Sequence, residues 1–252
     1  MPLGSQIRQY LLVLTVLGCA PTRPPPGVER FDPRAFPESV KGPMPGFGPF
    51  ESHWDALLAA CPLILSQRGA NAGHRGDMSF NTRWRVSTEY CAWLYYTPDS
   101  KYELSRLVES TNPTPPDDQD ERGCTLPAFV DDQRYPANSL KHLYVLHNHP
   151  GTPTNISERD ITAVVTAAKI HGEFVETKEG KIPISIVAFF SRHYDPNPTA
   201  CDGFYEYSKG SSEVVEWAPD QQGQWRREKA GTVIWENKTD FRFVPAREKG
   251  IP

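Results

Sequence analysis

The stretch from Leu140 to Leu146 is apolar and strand-forming, and it runs without a break into His147-Asn148-His149-Pro150-Gly151. Ile161, Val164, Val165 and Ala168 then recur at i, i+3, i+4 and i+7, the stripe of an amphipathic helix whose first turn is Ser157-Glu158-Arg159-Asp160 and which ends near Gly172. Lys181 to Phe190 follows and reads as a buried strand. Successive side chains of a strand face opposite ways, so His147 and His149 share one side and Asn148 takes the other. A carboxylate at Asp160, in the turn that opens the next helix, can swing back toward the two imidazoles. Zinc hydrolases of this broad kind take three protein ligands of nitrogen or oxygen type and leave one position open, where a bound water is acidified toward neutral pH.

Each part of this pattern has a plainer reading alone. Ser157-x-x-Asp160 is a capping box, and a Ser–Asp pair opening a helix is usually only a cap. Single histidines are more often structural or solvated than ligands. The joint spacing of all three residues favours the metal. His53, His74, His142, His171 and His193 have no partner at ligand spacing and stay outside the site. His147-Asn148-His149 spells the name of the HNH nucleases, but those spread their residues over a longer ββα element. A metallo-β-lactamase would need H-x-H-x-D-H, and Thr152-Pro153 follow Gly151 here.

The pattern H-x-H, seven residues, S-x-x-D, with a glutamate well upstream, resembles the JAB/MPN (JAMM) metalloprotease superfamily. Pro150 to Ile156 supply the seven intervening residues with no gap, and Pro150 is also the family's usual residue after the second histidine. The resemblance implies an α/β (α+β) fold: a single domain with a curved mixed sheet, flanking helices and, here, extra C-terminal β-hairpins. It implies Zn²⁺ held by His147, His149 and Asp160. Glu89 would be the general base and Ser157 would help hold a developing oxyanion. Glu89 stands in Glu89-Tyr90-Cys91-Ala92, with Ala92 where the family usually has Gly; Glu103 and Glu109 are its rivals. Relatives cleave isopeptide or peptide bonds, whereas members with incomplete ligand sets serve as scaffolds.

Around this core, Trp54 to Leu65 reads as a helix that Pro62 kinks or ends early, and Arg85 to Thr97 as a strand stopped by Pro98-Asp99, with Tyr102 to Leu107 its antiparallel partner. The Pro- and Asp-rich run from Asn112 to Glu121 is a solvated loop. Short alternating segments between Gly203 and Trp235 suggest exposed hairpins.

The N-terminus reads as an address. After Arg8, Tyr10 to Leu17 is an apolar run too short to span a bilayer, and Leu17-Gly18-Cys19 resembles the lipobox at which bacterial lipoproteins are cleaved and lipidated. The expectation is a signal peptide over 1–18, a lipidated Cys19 with a Pro-rich linker over 19–45, and a metallohydrolase domain over 46–252. Lipidation at Cys19 leaves Cys61, Cys91, Cys124 and Cys201, which can form two disulfides in an oxidising compartment by any of three pairings. Cys91 to Asp99, Val130 to Pro136 and Cys201 to Tyr205 carry a likeness to a paralogous family of myxobacterial lipoproteins. That likeness implies a location in the bacterial cell envelope, anchored by lipid on the extracytoplasmic side.

A net charge of −4 lacks the basic footprint that nucleic acid demands. The expected partner is a peptide or protein substrate. The alternatives are a catalytically inactive MPN-like binding or scaffold lipoprotein, or a structural envelope protein with incidental histidines.

Overall fold

The computed structural model describes residues 24–32, 34–109, 122–136, 138–152, 155–194, 201–237 and 240–246. Ten strands make one mixed sheet: β1 (Val28–Glu29), β2 (Tyr90–Tyr96), β3 (Tyr102–Leu104), β4 (Leu107–Glu109), β5 (Lys141–Asn148), β6 (Ser185–Phe190), β7 (Gly203–Ser208), β8 (Glu213–Pro219), β9 (Trp225–Trp235) and β10 (Phe241–Pro245). Their spatial order is β1-β4-β2-β5-β6-β7-β8-β9-β10, and β3 also pairs with β2. Only β1/β4 and β5/β6 are parallel. Parallel neighbours need a long crossover, and the segment between β5 and β6 supplies it with the helix α3 (Glu158–His171). Two further helices are α1 (His53–Leu65) and α2 (Phe80–Arg85). The architecture is α+β, with a mixed sheet and few helices.

The sheet separates two apolar layers. On one face Ala92, Leu94, Leu146 and Val187 pack under α1 through Leu57, Ala60 and Ile64. On the other, Cys91, Trp93, Val145 and Ile186 pack under α3 through Ile161, Val164 and Ala167. A bulge opposite Leu94/Tyr95 resets the alternation of β5. His142 therefore lies with Trp93 and the end of α3, while Leu143 and Tyr144 both join the α1 layer.

Several expectations change. Residues 85–89 are not strand: α2 ends at Arg85, and β2 begins only at Tyr90, directly after Glu89. Helix α1 continues through Pro62 to Leu65, because Cys61, Ile64 and Leu65 are buried against the core and outweigh the lost helical hydrogen bond. The segment 102–107 is split into β3 and β4, and the Ser105 hydroxyl between them accepts the Trp93 amide at 2.9 Å. Lys181 to Phe190 is likewise two pieces: Gly180–Pro183 forms a hairpin with Phe174–Thr177, and β6 starts at Ser185. Pro183 has no N–H to carry a ladder onward. The C-terminal hairpins do not stand apart but extend the main sheet as a meander, with 225–235 forming one long strand.

The segment expected to be linker up to residue 45 is in large part built into the domain. Val28–Glu29 pairs with Leu107–Val108, Ser39–Gly42 pairs with Phe129–Asp132, and Val28, Val40 and Met44 are buried. Apolar side chains at those positions pull the chain onto the fold despite its prolines. The signal peptide, Cys19 and the loop from Asn112 to Glu121 lie outside the described residues.

Candidate metal centre

His147 sits near the end of β5 on the α3 face, between two small neighbours in register, Cys91 on β2 and Ala188 on β6. His149 lies beyond the strand, and its amide donates to Phe189 O at 2.9 Å, which prolongs the β5/β6 pairing and fixes the second imidazole beside the first. The loop that follows is held from outside. Ala72 N donates to Pro150 O at 2.6 Å, and Gly73–His74 pairs in parallel with Gly151–Thr152. A Cβ on Gly151 would stand 3.1 Å from the Phe80 ring and 3.2 Å from that of Trp84, so glycine lets the loop after His149 lie against α2.

Asp160 comes from α3 by way of its cap. The Ser157 side chain accepts from Asp160 N at 3.2 Å, and Asp160 Oδ2 accepts from both Ser157 N and Ser157 Oγ at 2.8 Å. The capping box is thus real, and it aims the carboxylate at the histidines. His147 Nε2 lies 3.2 Å from Asp160 Oδ1, His149 Nε2 lies 3.4 Å from Asp160 Oδ2, and the two Nε2 atoms are 3.0 Å apart. One ligand atom from each residue can be chosen so that all lie within 4.8 Å of one another.

Ligand atoms bonded tetrahedrally at 2.0–2.2 Å are separated by about 3.4 Å, so the spacing fits a shared cation. Burial works against charge on Asp160, yet the His147 and His149 imidazoles outweigh it and hold the carboxyl well below its ordinary range. The trio therefore offers an ionised carboxylate with two imidazole nitrogens. His147 Nδ1 is buried with no hydrogen-bond partner among the described residues, which leaves Nε2 as the nitrogen engaged by the cluster. A buried His147-His149-Asp160 group of this kind could hold a metal ion.

Glu89 is buried, with Oε1 3.8 Å from His147 Nε2. Its rivals are engaged elsewhere: Glu103 with Arg134 at 2.7 Å and Glu109 with Arg30 at 2.6 Å. The hydroxyl of Ser157, the residue expected to help hold an oxyanion, donates to Asp160 Oδ2 and clamps that carboxylate.

Asn148 has a role that its position opposite the histidines did not reveal. It is fully buried; its Oδ1 accepts Tyr90 N at 2.7 Å, and its Nδ2 donates to Ala70 O at 2.7 Å and Thr88 O at 3.2 Å. Two of those bonds bracket Glu89, so Asn148 sets the position of that carboxylate from behind. The available signal was the alternation itself, which buries an amide that must find partners.

Glu89, His147 and Asp160 border a cavity of about 490 Å³. Its floor is the sheet at Trp93, Val145 and Ile186, one wall is α3, and the other is the chain from Gly123 to Ala128. That second wall is tied down repeatedly. The disulfide Cys91–Cys124 joins it to β2, Trp93 Nε1 donates to Pro127 O at 2.7 Å, and a His171 ring nitrogen lies 2.8 Å from Ala128 O. The second disulfide, Cys61–Cys201, links α1 to the chain just before β7. All four cysteines expected to pair do so.

Neither a scan against protein-family models nor a search of curated proteins gives a match for this chain. The site is characterised by its own geometry.

Proposed function

We propose that this protein is a zinc-dependent hydrolase of amide bonds, of the JAMM metallopeptidase type, tethered by a lipid on Cys19 to the extracytoplasmic side of a bacterial membrane. The observation that carries the reading is the convergence of His147, His149 and Asp160 with a buried glutamate beside them. A zinc ion held by the trio would supply a Lewis acid that brings the pKa of water toward neutrality. Glu89 then accepts a proton from the attacking water, whose oxygen bonds to the amide carbon, and passes that proton to the nitrogen as the C–N bond breaks. Asn148 keeps Glu89 in reach, and Ser157 keeps Asp160 aimed at the histidines. The cavity beside them provides room for substrate.

Two disulfides support an oxidising compartment, and so an envelope peptide or secreted protein as substrate rather than a cytosolic one. The test is Glu89→Gln in the mature protein. The account expects zinc to stay at about one ion per chain, with hydrolysis of an unbiased peptide mixture, followed by mass spectrometry, falling by at least about a hundredfold. Unchanged turnover would remove Glu89 as base. Bound metal with no turnover in the parent protein would favour the scaffold alternative.

A further inference from the structure

The cavity extends along one stripe of α3. Arg159, Thr162, Ala163, Thr166, Ala167 and Ile170 follow one another at helical spacing along its wall. The middle of that stripe carries only small side chains, and opposite them stand Leu126 and Ala128 on the tethered wall. The space they leave is apolar and begins at the metal centre. His147, with its unpartnered buried Nδ1, lines the same cavity.

Arg159, the residue before the ligand Asp160, is the cavity's one lining Lys or Arg. It is exposed and makes no ion pair or hydrogen bond among the described residues. A Cβ on Gly123 would collide with its guanidinium, so the glycine makes room for that group across the mouth of the groove.

Resting on the hydrolase reading, we propose that this groove is the specificity subsite of the metal centre, taking an apolar side chain next to the scissile amide, with Arg159 receiving a carboxylate of the same substrate. The substrate class is then a peptide carrying a bulky aliphatic or aromatic residue and an acidic group close to the cleaved bond. Apolar walls reward the side chain by removing it from water, and a guanidinium is suited to pair with a carboxylate. Neutral or basic peptides gain nothing from Arg159, and small residues leave the groove unfilled.

Hydroxamates separate the subsite from the metal, because the hydroxamate group ligates the ion and the rest of the molecule samples the groove. Three probes are titrated calorimetrically into zinc-loaded protein: acetohydroxamate, isovalerohydroxamate, and the monohydroxamate of isobutylsuccinate. The isobutyl group is expected to tighten binding about tenfold over methyl, and the added carboxylate a further roughly twofold to fivefold. Ala163→Phe, with Thr166→Phe as an independent second filling of the exposed stripe, should abolish the isobutyl gain while leaving acetohydroxamate affinity and zinc content unchanged. Arg159→Ala should abolish the carboxylate gain alone. Equal affinity for methyl and isobutyl probes in a protein that binds acetohydroxamate would overturn the subsite and leave the metal centre standing. No binding of acetohydroxamate, together with no retained zinc, would overturn the metal reading and this proposal with it.

Discussion

Asn148 is fully buried, and its hydrogen bonds reach backbone groups 58, 60 and 78 residues away in the chain. Replacing it with leucine would leave Tyr90 N–H and two carbonyls without partners in a dry place. The expected cost is about 3 kcal/mol, measured as a lower urea midpoint. Because two of those groups flank Glu89, the folded fraction of Asn148→Leu should also lose turnover while keeping its zinc. A loss of stability with full turnover would reduce Asn148 to a packing residue. The three candidate ligands were legible in the sequence because they fall within fourteen residues, His147 to Asp160, and local strand and helix geometry is enough to bring them together. Glu89 could be read only as the carboxylate nearest a strand head. What holds it depends on contacts across the sheet, which no local pattern encodes.

Among the elements, β5 follows from a continuous apolar run and α3 from an amphipathic stripe, whereas β6 was legible only in part, because it begins at Ser185 after the separate strand Gly180–Pro183. The short helix α2 was missed, as six residues carry too little periodicity to stand out from a polar loop. The wall from Gly123 to Ala128 was equally hidden. It has no regular structure of its own, and the disulfide, the Trp93 indole and His171 tie it to the rest of the fold. Which cysteines pair is a question of distance, and the structure gives Cα separations of 5.7 Å for Cys61–Cys201 and 6.0 Å for Cys91–Cys124. Loop-closure entropy over separations of 140 and 33 residues predicts losses of about 5 and about 4 kcal/mol respectively on opening each bond. Cys61→Ala/Cys201→Ala should therefore lower the thermal midpoint without affecting the site. Cys91→Ala/Cys124→Ala should lower it somewhat less and also weaken binding of the isobutyl probe. Equal probe affinity in that second variant would show that the wall holds without its disulfide.

At the scale of the molecule, stability should depend on pH through the pair His142 and His171. Their rings stack 4.1 Å apart at the far end of the α3 layer, where Val130 N donates to His142 Nε2 at 3.0 Å. Burial, with His171 beside it, lowers the His142 pKa to about 3, and burial lowers that of His171 as well. Folding thus favours the neutral rings. The contribution of His142 is complete above the unfolded histidine value of about 6.5 and declines as pH falls from there toward 3, and that of His171 changes in the same direction. The unfolding free energy from urea titrations should drop across that window by up to about 1.4 kcal/mol per pH unit through His142, and His142→Gln should flatten the slope. A flat profile in the parent protein would contradict burial of the neutral pair. Among the described residues no helix is long and apolar enough to cross a membrane. The attachment proposed above is through Cys19. Labelling cells with a radioactive fatty acid should mark the parent chain and not Cys19→Ala.

Metal analysis of the purified mature protein tests the centre of the account most directly. Elemental mass spectrometry should find about one zinc per chain, reduced to background in Asp160→Ala while circular dichroism shows the fold retained. A well-folded parent protein that holds no zinc after incubation with the ion would contradict it.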